Sequence, residues 1–232
     1  MFPFDVWYFI IILPGVALAL YASAKVKSTF ARASQMPSRM GWTGAQVAQA
    51  ILDAEGIHDV AIEPTQGYLS DHYDPTSKVL RLSPDVYSGR SLAAAGVAAH
   101  EVGHAIQHAH GYAPLSLRNA VVPMASIGSS LSWIFIMIGI ATALQTLAIV
   151  GVALFTMVVI FQVVNLPVEF NASARARQVL LTNGMVTQDE DYQIGKVLNA
   201  AALTYVAATV TAILTLLYYL WRAGLIGGSS RD

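Results

Sequence analysis

The stretch VAAHEVGHAIQHAHGY, residues 97–112, decides how this chain is to be interpreted. It holds four of the protein's six histidines, which are His100, His104, His108 and His110. Glu101 stands beside the first of them, and almost every other residue of the stretch is small or apolar. The spacing predicts a helix that begins near Ser91 and runs to about His110, because Gly111 and Pro114 then stop it.

The five residues HEVGH, 100–104, fit the metal-binding pattern H-E-x-x-H. Residues four apart lie on one face of a helix, so the imidazoles of His100 and His104 can reach a single ion. Glu101 is turned by about 100° from His100, toward the open coordination position. There it can accept a proton from a water molecule on the metal, whose pKa zinc lowers toward about 7. The pattern predicts a zinc site with Glu101 as the catalytic base.

A hydrolytic zinc site needs a third protein ligand, and the chain has no cysteine to supply it. His108 is excluded as a ligand together with His100 and His104, because three such residues span about 12 Å of helix rise. His110 matches the last position of H-E-x-x-H-x-x-G-x-x-H, but Gln107 stands where that motif needs glycine. We therefore favour Glu169, in the segment NLPVEFNAS, and keep His110 as the fallback ligand.

The composition indicates a membrane protein, since 55% of the residues are hydrophobic and only 12% are charged, against about 25% in ordinary soluble domains. Transmembrane helices are expected at residues 2–23, 119–141, 146–166 and 201–221, followed by a short tail at 222–232. No charged residue occurs between 119 and 168, so a hairpin must turn near 141–146. Pro167 would let a new helix begin at the membrane edge. The net charge of −1 gives no electrostatic reason to expect nucleic acid.

Four spans place both chain ends on one side of the membrane and residues 24–118 and 167–200 on the other. The two inner segments carry eleven lysines and arginines, whereas the opposite side carries Arg222 and Arg231. The positive-inside rule therefore predicts that both segments are cytoplasmic. The expected location is the plasma membrane of a prokaryote, with the active site facing the cytoplasm.

The segment 24–118 is long enough for a small domain. Thr43 and Gln46 form the pattern of a capping box, and the helix that follows stops at Gly56. Residues 60–63 and 78–83 are predicted to form strands, and the turn-rich stretch GYLSDHYDP at 67–75 separates them. The second strand could offer a free edge to an extended substrate. The expected fold is a mainly α integral membrane protein with four transmembrane helices, plus a small α+β zincin-like domain with an HExxH helix and a short sheet.

Several motifs together resemble the YugP-like membrane neutral zinc metallopeptidases. They are HEVGHAIQ, GYLSDHYDP with VLRLSPDVY, the VP pair at 122–123, and NLPVEFNAS. The resemblance implies His100, His104 and Glu169 as ligands of one zinc ion and Glu101 as the base. The chain is more distantly similar to HtpX-type membrane proteases, which carry aspartate four residues after the third ligand.

Ser173 stands in this chain at the place of that aspartate. The residue that orients a ligating imidazole could therefore be Asn171, Ser173 or Asp74. His72 and Tyr73, expected in a loop, could line the cleft or stabilise an oxyanion. Arg175, with Arg177, could bind a substrate carboxylate or anchor the chain at the cytoplasmic face.

The predicted function is that of a membrane-embedded zinc-dependent endopeptidase. It would hydrolyse peptide bonds of membrane or membrane-proximal proteins with a Glu-activated, zinc-bound water, and the lipid bilayer would be its surroundings. A site-2-type intramembrane protease is one alternative, although the sequence lacks the Asp-Gly pair of that class. A non-catalytic scaffold or chaperone partner with structural zinc is the other, and a fourth ligand such as His110 or His72 would favour it.

Overall fold

The computed structural model describes residues 6–227, and they form a mainly helical protein with one small sheet. Residues 2–5 of the first predicted span and residues 228–232 of the predicted tail lie outside the described residues. The helices are α1 (Val6–Ser34), α2 (Gly44–Ala54), α3 (Pro84–Tyr87), α4 (Leu92–Ala109), α5 (Ala113–Ala141), α6 (Gln145–Thr182) and α7 (Gln188–Arg222). The strands are β1 (Ala61–Pro64), β2 (His72–Asp74) and β3 (Val79–Leu82).

The chain divides into two compact units. One unit contains the chain up to Tyr21, Leu117–Leu166 and the chain from Thr204 onward. The other unit contains Ala22–Ser116 and Pro167–Leu203, and therefore the HEVGH helix as well as Glu169.

Four helices of the described residues, α1, α5, α6 and α7, are long and apolar enough to cross a membrane, which agrees with the predicted number of four transmembrane helices. Large apolar side chains such as Phe9, Leu13 and Trp133 are exposed on them. Because so much apolar surface is unfavourable in water, these helices need lipid around them. The turn between α5 and α6 falls where the sequence predicts it, at residues 142–144, with Ala143 at a φ of 58°.

Helix α6 continues without a break through Pro167, so the prediction that a new helix begins there is wrong. Proline removes one backbone donor from a helix but leaves the rest of the hydrogen-bond ladder intact, and apolar membrane helices tolerate it. Glu169 lies in this helix, two residues beyond the proline.

We refer to the unit formed by Ala22–Ser116 and Pro167–Leu203 as the polar unit. Its helix α2 has the predicted capping box. The Gln46 amide donates to the Thr43 hydroxyl, and the Gln46 side chain accepts from the Thr43 amide. The sheet has the order β1-β3-β2, with β1 parallel and β2 antiparallel to β3. Helix α4 starts with Ser91 capping the Ala94 amide and ends at Ala109, two residues before Gly111, whose φ of 60° suits glycine.

Strand β2 was not predicted, and the expectation that His72 and Tyr73 lie in a loop is wrong. A strand of three residues is too short to show alternation of apolar and polar side chains. Its pairing with β3, in which His72 faces Arg81 and Asp74 faces Val79, is a contact between separate segments that no local pattern encodes.

The prediction that the second strand offers a free edge is also wrong. Strand β3 is central, because β1 pairs with its residues Val79–Leu82 on one side and β2 pairs with Val79, Leu80 and Arg81 on the other. Among the described residues, β2 and β1 are the edge strands of this sheet. Any peptide that adds to the sheet must therefore add to one of these two strands.

One apolar core holds the polar unit together. Its fully buried side chains come from α2, β3, α4 and the second half of α6, and include Ile51, Leu80, Leu82, Val102 and Leu180. Small residues of α4 let its neighbours approach closely, so that most of the helix is buried. Burying that helix fixes the direction in which its histidines point.

Candidate metal centre

His100 and His104 project from one face of α4, as the four-residue spacing predicts. Their ring centroids lie 4.9 Å apart, with the ring planes at 83° to each other. His104 is buried and His100 is half-buried, so neither imidazole is free to turn into solvent. The helix thus presents two nitrogen ligands to one point.

Glu169 of α6 lies opposite this pair. Its Oε2 atom is 3.3 Å from Nε2 of His100 and 3.7 Å from Nε2 of His104. Two ligand atoms that bind a tetrahedral zinc ion at about 2.05 Å are separated by about 3.3 Å. One ligand atom from each of the three residues lies within 4.8 Å of the others, and together they form a group that can hold a metal ion. The donor set, two imidazoles and a carboxylate, fits zinc.

The close approach of α6 to α4 depends on Gly103, inside the HEVGH motif. A Cβ atom at this position would stand 2.5 Å from the carbonyl oxygen of Ala172. Only glycine allows this approach without moving one of the two helices. Glu169 lies on α6 less than one turn before Ala172. The close contact between Gly103 and Ala172 therefore brings Glu169 toward His100 and His104.

The outer nitrogen of each imidazole has a partner. The Nδ1 atom of His100 lies 3.1 Å from the Ser173 hydroxyl, and Nδ1 of His104 lies 3.1 Å from Oε1 of Gln107. Both Nε2 atoms therefore point to Glu169 and toward a shared ion. Such outer contacts orient metal-binding imidazoles. Ser173 was among the residues that the sequence analysis considered for orienting a ligating imidazole.

The role of Gln107 was missed by the sequence analysis, which considered this residue only because it stands where a longer metal-binding motif needs glycine. Its side chain is fully buried. Its Nε2 atom donates to the Val168 carbonyl at 2.8 Å and to Oδ1 of Asn171 at 3.0 Å. The local sequence gives no signal for this role, because the amide of Gln107 finds its partners on α6, a distant segment of the chain.

Glu101 is buried beside the group and does not belong to it. Its pKa is raised to about 7, mainly by burial and also by the charges of Glu169 and Asp71, while His100 opposes the rise. A carboxyl group with a pKa near neutrality can both accept a proton and return it.

Asp71 immediately precedes strand β2. Its carboxylate accepts hydrogen bonds from the backbone amide and the hydroxyl of Ser83. Burial raises the pKa of Asp71, and these hydrogen bonds oppose the rise. The pair ties the start of β2 to the end of β3.

The remaining predicted residues of β2 have contacts of different kinds. Nδ1 of the exposed His72 lies 2.8 Å from the Ser70 carbonyl, so this nitrogen carries the proton that the carbonyl accepts. The Tyr73 hydroxyl contacts Nδ1 of His108 at 2.9 Å, and burial raises the pKa of Tyr73 to about 12. Asp74 accepts from Thr76 and Ser77 in the turn that follows and from Arg81 of β3, rather than from an imidazole.

His110, the fallback ligand, ends α4 and does not belong to the His–His–Glu group. Its Nδ1 atom lies 3.4 Å from a terminal nitrogen of Arg175. Arg175 also donates from Nε to Oδ1 of Asn171 at 2.8 Å, and its guanidinium lies 5.9 Å from the centre of the Tyr112 ring. Arg175 therefore contacts several groups that surround the site.

Nearly the whole chain is similar to known proteins. A family model described as "Putative neutral zinc metallopeptidase" matches residues 8–224. A protein of Bacillus subtilis (strain 168) named "Putative membrane protease YugP" is 44% identical over 207 residues, which cover 89% of this chain and 92% of the relative. No solved structure matches the chain. Zinc is the metal of the matching family, and His100, His104 and Glu169 can bind it.

Proposed function

We propose that this chain, which belongs to the neutral zinc metallopeptidase family, is an integral membrane endopeptidase that cleaves membrane or membrane-proximal proteins. The observation that carries the proposal is the convergence of His100 and His104 from α4 with Glu169 from α6 on one point. Glu101 lies next to this point with a carboxyl group of suitable pKa.

In this mechanism His100, His104 and Glu169 hold the metal. Zinc in such a site polarises the carbonyl group of the scissile peptide and lowers the pKa of water. Glu101 accepts a proton from the attacking water, whose oxygen adds to the carbonyl carbon. When the carbon–nitrogen bond breaks, Glu101 returns that proton to the leaving amine nitrogen.

We propose edge strand β2 as the element that receives the substrate. Among the described residues β2 is paired on one side only, and the exposed His72 stands at its beginning. An extended peptide that adds to β2 would align its backbone beside α4, since β2 contacts α4. His72 and Tyr73 would line this cleft.

The cytoplasmic orientation is part of the proposal. It rests on the eleven basic residues in the two segments that contain the site, against two on the other side. Glu169 follows the end of the third predicted span, residue 166, by three positions. A site so near the end of a span in sequence suits substrates that emerge from the membrane.

The chemical test measures zinc content and peptide hydrolysis of the purified, detergent-solubilised protein. Glu101→Gln should keep zinc and lose about 10²- to 10⁴-fold in rate, because a general base contributes that much. Glu169→Ala should lose zinc, whereas the control Glu55→Gln, at the end of α2, should match the wild type. Equal rates for the wild type and Glu101→Gln would refute the assigned base. Zinc without hydrolysis of any peptide or membrane-protein substrate would favour the structural scaffold.

The orientation can be tested with single cysteines, because the natural chain has none. Gln66→Cys lies in the segment proposed as cytoplasmic, and Thr142→Cys lies in the turn proposed to face outward. In intact cells a membrane-impermeant maleimide should label only Thr142→Cys, and permeabilisation should expose Gln66→Cys. The reverse pattern would overturn the proposed orientation.

A further inference from the structure

A chain of hydrogen bonds leads from a guanidinium group to one of the two histidines. Arg175 donates to Oδ1 of Asn171, Nε2 of Gln107 donates to the same Oδ1, and Oε1 of Gln107 lies 3.1 Å from Nδ1 of His104. Gln107 makes one more bond, from Nε2 to the Val168 carbonyl. These hydrogen bonds connect α6 to the face of α4 that carries His104.

The direction of each bond in this chain is determined by its partners. A backbone carbonyl can only accept, so the Gln107 group that faces Val168 must be the NH₂ end of the amide. The oxygen of Gln107 then faces His104, and Nδ1 of His104 must carry a proton to donate to it. Nε2 of the neutral ring is left with the lone pair that a metal ion needs.

The hydrogen bond at the other end of this series, between Arg175 and Asn171, also has only one possible direction. A guanidinium group has five donors and no acceptor, so Asn171 must present its oxygen to Arg175. That same oxygen accepts from Gln107, which again requires the NH₂ end of the glutamine to point toward α6. Two independent acceptors therefore fix the orientation of the Gln107 amide.

His100 differs from His104 in this respect. Its Nδ1 atom faces the hydroxyl of Ser173, and a hydroxyl can donate as well as accept. Ser173 thus holds the ring of His100 without selecting its tautomer, whereas Gln107 selects the tautomer of His104.

We propose that Gln107, Asn171 and Arg175 are positioning residues that keep His104 in the tautomer with its proton on Nδ1. They thereby prepare Nε2 for the metal before the metal arrives. This inference rests on the proposed metal-binding role of His104, and its test does not depend on hydrolysis. Because Gln107 is fully buried, its partners remain in place in the absence of substrate.

The first measurement reads the tautomer directly. In zinc-free wild-type protein with ¹⁵N-labelled histidine, in mildly alkaline buffer, the His104 ring should show a protonated Nδ1 and a bare Nε2. The His104 signals are assigned by their loss in His104→Asn. In Gln107→Leu the two tautomers should be mixed, because the acceptor is gone. A protonated Nε2 in the wild type would overturn the proposal.

The second measurement is the zinc dissociation constant, determined by competition with a chelator. Gln107→Leu should bind zinc about 10- to 100-fold more weakly, as expected when an outer partner of a ligating imidazole is removed. Asn171→Leu should weaken binding in the same direction. Asn171→Asp should restore most of the affinity, because it keeps an oxygen acceptor for both Gln107 and Arg175.

The matched control is Gln178→Leu, which removes an exposed glutamine side chain from the same helix, α6, and should bind zinc like the wild type. If Gln107→Leu fails to fold, the Asn171 pair decides the question. Wild-type zinc affinity in the folded leucine variants would refute the proposal. If the wild type binds zinc with the expected tautomer and cleaves nothing, the peptidase proposal fails while this one stands.

Discussion

Gly103 lies against Ala172 so closely that a Cβ on the glycine would be 2.5 Å from the alanine carbonyl oxygen. This contact brings α6 to the face of α4 that carries His100 and His104. Gly103→Ala must push the two helices apart, because the obstructing atom belongs to the backbone and cannot rotate away. We expect weaker zinc binding and lower peptidase activity, measured by chelator competition and by peptide hydrolysis.

Gly96→Ala is the matched control on the same helix. There a new Cβ would meet the side chain of Ile194, with the nearest atom at 2.9 Å, and side-chain atoms can shift. This variant should lower the thermal unfolding midpoint modestly and leave zinc affinity close to that of the wild type. If both alanine variants bind zinc like the wild type, the contact between Gly103 and Ala172 does not place Glu169.

Removing zinc should lower the stability of the folded protein, because the three ligands come from helices far apart in sequence. A ligand at 1,000 times its dissociation constant stabilises by about 4 kcal/mol. Addition of a chelator should therefore lower the unfolding midpoint of the zinc-loaded wild type strongly. Glu169→Ala should show little chelator effect, and an equal shift in both proteins would exclude Glu169 as a ligand.

The features predicted correctly from the sequence are those that local patterns encode. The HEVGH helix, its start after Ser91 and the capping box at Thr43 each depend on residues within one or two turns. The long uncharged run likewise leaves few arrangements other than two membrane helices with a short turn.

The features that were missed depend on contacts between distant segments. Strand β2 exists because it pairs with β3, and β3 loses its free edge for the same reason. Gln107 acts through Val168 and Asn171, more than 60 positions away. A glutamine on a helix gives no local indication that its amide will meet those partners.

Asp74 should make part of the stability dependent on pH. Hydrogen bonds from Ser77 and Thr76 lower its pKa from 3.8 to about 2. A carboxyl group whose pKa is lowered by folding stabilises the protein above the unfolded value, 3.8, and this contribution is lost as the pH falls through about 2. Asp74→Asn should therefore have a lower unfolding midpoint than the wild type near neutral pH.

The difference between the wild type and Asp74→Asn should shrink between pH 4 and pH 2, measured on the zinc-free proteins so that metal release does not contribute. Ser77→Ala should reduce the same difference, since the Ser77 hydroxyl donates to Asp74 at 2.6 Å. A difference that stays constant over this range would mean that the charge of Asp74 does not stabilise the fold.

Arg177 and Asp191 form the ion pair that joins the second half of α6 to the beginning of α7. Nε and a terminal nitrogen of Arg177 donate to the two carboxylate oxygens at 2.8 and 2.5 Å. The Asp191 side chain is only 6% exposed, whereas that of Arg177 is 40% exposed and partly screened by solvent. Arg177→Met should therefore destabilise the fold by about 1–2 kcal/mol, less than for a fully buried pair, because it leaves the Asp191 charge buried without its partner.

The cost of Arg177→Met should fall when Asp191 is also replaced, because Asp191→Leu removes the charge that would otherwise stay buried. Lys196→Met, on the exposed side of α7, removes a positive charge at the surface and should change the free energy of unfolding by less than about 0.5 kcal/mol. Denaturant unfolding in detergent measures all four variants. Additive effects of Arg177→Met and Asp191→Leu would show that the two side chains do not stabilise each other.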